Sequence, residues 1–288
     1  MRIYSRLALA ASTVLIAWGC VRCASSNSSG AGEAAPSTSA EASLSLVVIG
    51  DSIPNNAPYD CPGCVGFVDQ YALALGQTTG REVETTNLSE HNNLTLPMLL
   101  RELLHASTSD EGLPSLQEQL SSADAIIVGV AHNSIELNAD RPCGTRFVES
   151  RSTFADWSKL DEQCARRTTE RYRAQYDKLY STIASWRGDK PTILRTIDKY
   201  NDWTGGPAHL TTEQIATVVM FHNLWDRMLC ASATAHGFTC ADIYHAFNGP
   251  DGTRASGNLL GPDYTHPSQK GNDVIAKTLI AQGFAPLA

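Results

Sequence analysis

From about residue 43 onward, short runs rich in apolar and β-branched residues alternate with longer stretches whose apolar positions recur every three or four residues. Leu44–Ile49, Glu82–Leu88, Ala125–Val130, Thr192–Ile197 and Thr239–Tyr244 have the length and composition of strands. Gly66–Leu75, Leu96–His105, roughly Asp156–Trp186, Thr212–His236 and Ser268–Gln282 carry the helical spacing. In the third of these, Cys164, Tyr172, Tyr176, Leu179, Ile183 and Trp186 form a stripe, which reads as core packing. Strand–helix alternation predicts right-handed crossovers, hence an α/β fold: a three-layer α/β/α sandwich around a central, mostly parallel five-stranded sheet. Ligands of such sheets bind beyond the carboxyl ends of the strands.

The first 43 residues follow a different pattern. Arg2 and Arg6 precede an apolar run from Leu7 to Trp18 and then Gly19-Cys20, the layout of an export signal over residues 1–20. The run is too short and too poorly flanked for a stable membrane span. Cys20 after Gly19 admits lipoprotein processing and a membrane tether, although Ala17 and Trp18 depart from the usual processing site; simple secretion is the alternative. Residues 21–43 are mostly Ser, Ala, Gly and Pro, too poor in apolar surface to offset ordering entropy, and predict a flexible tether. One domain, 44–288, follows, expected to be a monomer.

The formal net charge of −8, with Lys and Arg scattered, argues against nucleic acid as a partner. Eight cysteines are many for a reduced compartment. Six lie in the domain, and fifteen pairings are open to them. Proximity along the chain favours Cys61 with Cys64, Cys143 with Cys164 and Cys230 with Cys240. Cys61-Pro-Gly-Cys64 could instead be a redox dithiol, but it opens no thioredoxin-like unit, and no second Cys-x-x-Cys accompanies it to hold zinc.

Two short motifs carry chemistry. Gly50-Asp51-Ser52 follows the first strand, and Asp263-Tyr-Thr-His266 follows the fifth. Alone, the first is a common polar turn and the second a common helix start. Together, at opposite ends of one α/β domain, they supply a nucleophile, a base and a carboxylate to orient that base. Ser89–Asn92 follow strand two and His132–Asn133 follow strand three, so every candidate falls at the same sheet edge. His132 lacks a following carboxylate, and His91, His209, His222 and His245 read as surface or packing residues.

On these residues the chain resembles the SGNH hydrolases, the GDSL-type lipases and esterases of secreted bacterial type, over essentially all of 44–285. The first block is Gly50-Asp51-Ser52 with Ile53 where leucine is commonest, and the last is Asp263-x-x-His266 followed by Pro267 and Gly271. Ala241–Gly249 looks like the strand-five segment of many secreted members. The third block, usually Gly-x-Asn-Asp, is here Ala131-His132-Asn133-Ser134, and the second-block glycine is absent, its place falling near Asn92. The resemblance implies a flavodoxin-like SGNH hydrolase fold and Ser52, Asp263 and His266 as catalytic residues. It also implies an oxyanion hole from the Ser52 amide, an amide near Ser89–Asn92 and the Asn133 side chain. No metal or cofactor is expected. The implied partner is an ester: lipid, acetylated glycan or small ester. A non-catalytic envelope protein on the same scaffold, or an acyltransferase using the same acyl-enzyme, are the alternatives.

Overall fold

The computed structural model describes residues 42–105, 115–131, 133–134, 161–207 and 209–288. Five strands, β1 (Leu44–Gly50), β2 (Val83–Asn87), β3 (Ala125–Gly129), β4 (Ile193–Ile197) and β5 (Thr239–Ala241), pair in the order β2-β1-β3-β4-β5. Every pairing is parallel. The described helices are α1 (Ser52–Asn55), α2 (Phe67–Thr79), α3 (Leu96–Leu104), α4 (Leu116–Ser122), α5 (Glu162–Arg187), α6 (Thr212–Ala235), α7 (Ile243–Asn248) and α8 (Gln269–Ile280).

Both sheet faces are covered. Val47, Ile49, Ile126 and Val128 pack with residues of α3, α5 and α6, while Leu46, Val48, Ala125 and Ile127 pack with residues of α2, α7 and α8. Because neighbours along β1 and β3 point to opposite faces and both faces are dry, these strands read as unbroken apolar runs. The order along the sheet reverses between β1 and β3, and the crevice outside such a reversal is where ligands of doubly wound sheets sit.

The structure departs from the sequence expectation in three places. The fifth strand ends at Ala241, and residues 243–248 turn into α7. The cause is capping: Asp242 Oδ1 accepts from His245 N, and buried Asp198 Oδ1 accepts from Ile243 N and Tyr244 N, so the first helical amides are satisfied. The helix α1, capped by Asp51, was not anticipated, nor was α4, although Ser115-x-x-Glu118 forms a full capping box at its start. The long predicted helix begins at Glu162 within the described region, with Asp161 as its cap. The proposed signal, Cys20 and tether residues up to 41 lie outside the described residues, as do His132 and Cys143 of the 143–164 pair. Cys61–Cys64 and Cys230–Cys240 are disulfides. Among the described residues no helix is long and apolar enough to cross a membrane.

Candidate active site

Ser52 sits where β1 meets α1, as the first residue of that helix. Gly50 lies against Gly129 of β3, and a Cβ there would stand 2.1 Å from the Gly129 carbonyl oxygen, so the strand can enter this turn only as glycine. Buried Asp51 then holds the turn on both sides. Its Oδ1 accepts from Ile53 N at 3.0 Å, and its Oδ2 accepts from Ala131 N at 3.1 Å. The middle residue of Gly-Asp-Ser thus ties the Ser52 loop to the end of β3. Tyr176 Oη donating to Val130 O at 2.7 Å fixes that strand end from α5.

His266 comes from the segment between α7 and α8. That segment is pinned by Tyr200 Oη donating to Thr265 O, by Gly261 N donating to His266 O, and by a bridge between Leu260 and Pro267. His266 Nε2 lies 3.0 Å from Ser52 Oγ, and Nδ1 lies 2.5 Å from Asp263 Oδ2. Asp263 Oδ1 accepts from Thr265 N and His266 N, both at 3.0 Å. Partial burial alone would raise the Asp263 pKa, but the bond from the His266 ring and these amides outweigh it and hold the carboxyl at about 2. A neutral ring that donates Nδ1–H to this carboxylate turns the Nε2 lone pair toward Ser52 Oγ, the arrangement a general base needs. Ser52 is only 9% exposed, less open than a turn serine would suggest.

The loops after β2 and β3 meet beside this pair. Leu96 N donates to Ser134 Oγ at 2.8 Å, and Asn133 Nδ2 donates to Leu94 O at 3.2 Å. One of the two Asn133 amide hydrogens is thereby used and the other remains. The Ser52 amide, first in α1, has no carbonyl within the helix to bond. In the second loop the Ser89 amide is taken by Asn87 Oδ1 and that of Glu90 by Gly50 O. Asn92 is exposed, with its side chain donating to Glu90. The left-handed residue beside the place of the missing second-block glycine is Asn93, at φ +61°.

Sequence reasoning missed a second group here. Asp60, just before the Cys61–Cys64 disulfide, places Oδ1 3.4 Å from His266 Nδ1 and Oδ2 2.9 Å from His91 Nε2. The His91 ring stacks on that of His266, with centroids 5.2 Å apart, and its Nδ1 lies 2.7 Å from Tyr59 Oη. No periodicity marks these residues. Only the loop geometry brings them together.

The described histidines also include His222 on α6, fully buried and 3.5 Å from Asp226 Oδ2 through Nδ1. Neither ring nitrogen has a hydrogen-bond partner. Burial, with Lys199 nearby, pushes His222 well below the usual histidine range, while burial and Asp198 push Asp226 well above the carboxylate range.

No family model and no curated protein matches the chain significantly. Solved structures do. A lipase from a goat rumen metagenome superposes with a TM-score of 0.63 at 20% identity, over 85% of this chain and 100% of that one. An extracellular lipase from Streptomyces rimosus gives 0.55 at 15% identity, over 83% and 99%. A mutant of Axe2, an acetyl-xylooligosaccharide esterase from Geobacillus stearothermophilus, gives 0.53 at 15% identity, over 83% and 93%. At such identities the likeness is one of fold.

Proposed function

We propose that this chain, whose fold is that of the SGNH hydrolases, is an exported serine esterase acting through an acyl-enzyme on Ser52. The observation that carries the reading is the 3.0 Å approach of His266 Nε2 to Ser52 Oγ across 214 residues of sequence, with Asp263 behind the ring. Ser52 Oγ attacks the ester carbonyl as His266 Nε2 takes its proton. The tetrahedral oxyanion is met by the Ser52 amide and the remaining hydrogen of Asn133 Nδ2, donors of a kind that usually supplies the largest catalytic term. His266 returns the proton to the leaving alcohol, then activates water to release the acid. Asp263, ionised throughout, holds the ring in the required tautomer and stabilises its cationic form.

The substrate class is carboxylic esters, of lipids or of acetylated glycans, in keeping with the lipase and acetyl-esterase names of the structural neighbours. Residues 1–20 serve as the export signal, with the chain released or held through Cys20, and residues up to 43 form a tether. The Cys61–Cys64 and Cys230–Cys240 disulfides suit an oxidising compartment.

A chain-length series of p-nitrophenyl esters and a fluorophosphonate probe, applied to the native chain and to Ser52→Ala, test this directly. The native chain should be labelled and should turn over at least one ester. Ser52→Ala should do neither while keeping its far-ultraviolet spectrum. Labelling or near-native turnover in that variant overturns the assignment.

A further inference from the structure

We infer that Asp60, His91 and His266 form a binding site for a zinc-type divalent cation, and that its occupancy switches the proposed base off. Among the described residues these three are the group able to offer converging metal ligands, their donor atoms lying within 4.8 Å of one another. Asp60 is 8% exposed at its side chain, yet Oδ2 accepts no hydrogen bond. His91 Nε2, buried and 2.9 Å away, likewise makes none, so the two face each other without hydrogen-bond geometry. Two buried polar atoms left in this way are costly unless a further group satisfies both.

The donor set selects the ion. Two imidazole nitrogens and one carboxylate suit zinc, whereas calcium and magnesium take oxygen ligands almost alone. Three protein ligands with water in the fourth position is the open tetrahedral arrangement zinc adopts. Ligands about 2 Å from such an ion stand roughly 3.3 Å apart, so the cluster must contract by an ångström or so. Exposed Tyr59 assists: accepting from His91 Nδ1–H, it fixes the tautomer that leaves the Nε2 lone pair toward the ion.

The chemical consequence follows from the tautomer of His266 and rests on the proposed function. Zinc on Nδ1 takes the electron pair left when the proton held toward Asp263 departs, and a neutral ring then carries its proton on Nε2. That nitrogen donates to Ser52 Oγ and can no longer receive its proton. Serine loses its base with no change in the fold.

Zinc chloride titrated calorimetrically into the chelator-treated full chain should bind at one ion per chain. It should bind equally to Ser52→Ala, since Ser52 is not a ligand. His91→Gln should weaken binding at least tenfold, and Asp60→Asn should do the same. In ester turnover, zinc should inhibit the native chain reversibly, with chelator restoring the rate, and should inhibit His91→Gln at least tenfold less, each chain being compared with its own zinc-free rate. Absence of binding heat, binding undiminished in both variants, or equal affinity for calcium or magnesium would overturn the site. Because binding is read by heat on a variant without the nucleophile, an absence of ester turnover would refute the function and leave the site to be judged alone.

Discussion

His266 and His222 each lie three or four residues along the chain from an aspartate, Asp263 and Asp226, yet their surroundings give them opposite properties. At His266 both ring nitrogens are engaged, one by an ionised carboxylate and one by a serine hydroxyl, and the side chain remains 13% exposed. His222 is sealed between Tyr244, stacked at 5.2 Å, and Trp203, edge-on at 5.4 Å, and its nitrogens bond to nothing. There burial drives histidine and aspartate toward their neutral forms, so the pair has no charge to exchange. A histidine near an aspartate is therefore not in itself a base. What makes one is hydrogen bonding that keeps the carboxylate ionised and leaves the other ring nitrogen facing a proton donor.

The same substitution at both pairs should separate them most sharply. Asp263→Asn should lower kcat by about 10⁴, the scale seen when a triad carboxylate is replaced and the tautomer is lost. Steady-state ester kinetics read this, and a loss under tenfold would mean that Asp60 or another group orients His266. Next in size, Asn133→Ala should lower kcat by about 10²–10³ with KM little changed, through loss of one oxyanion donor. If kcat survives, the Asn133 bond to Leu94 O is its whole role.

The pH–rate profile should show a single acid limb rising about tenfold per unit and then levelling, because only neutral His266 can take the proton. Asp263, held at about 2, stays ionised across that range, and His222, pushed far down, stays neutral. A two-proton limb would implicate another group. The smallest effect is expected from Asp226→Asn, which should leave turnover unchanged. Its Oδ1 can still accept from Lys199 N. The sign for stability follows from linkage. A carboxyl raised in the folded state binds a proton that the unfolded chain has already lost above about 3.9, so folding is penalised as pH climbs toward the folded value. The asparagine lacks this penalty, and its urea midpoint should gain on the native one as pH rises through that window.

The fold was legible wherever one residue type had one job. β1 and β3 are buried on both faces, so their apolar runs announced them, and α5 and α6 carry stripes long enough to leave no alternative reading. Thr239–Tyr244 misled because Asp198, 41 residues before Thr239, takes the Ile243 and Tyr244 amides and turns the chain into α7. For the candidate site, the sequence pointed to Ser52, Asp263 and His266 because their types and edge positions coincide, and the structure places the three side chains together. Asp51 passed as spacing within Gly-Asp-Ser, although its carboxylate joins two loops. Asp60 and His91 belong to irregular loops, where no period exists to be read, and their proximity is a product of tertiary packing alone.

The contact between Ser52 and His266 has a consequence for the timing of activity. A hydrogen bond spanning 214 residues closes only after the first and last thirds of the chain have both docked on the sheet. Contacts of such sequence separation pay the largest loop-closure entropy and form late. A chain still being made, or still extended, holds a serine with no base beside it. Under the proposed function, reactivity is thus a readout of completed folding, since the serine gains its base only when both ends of the domain are in place.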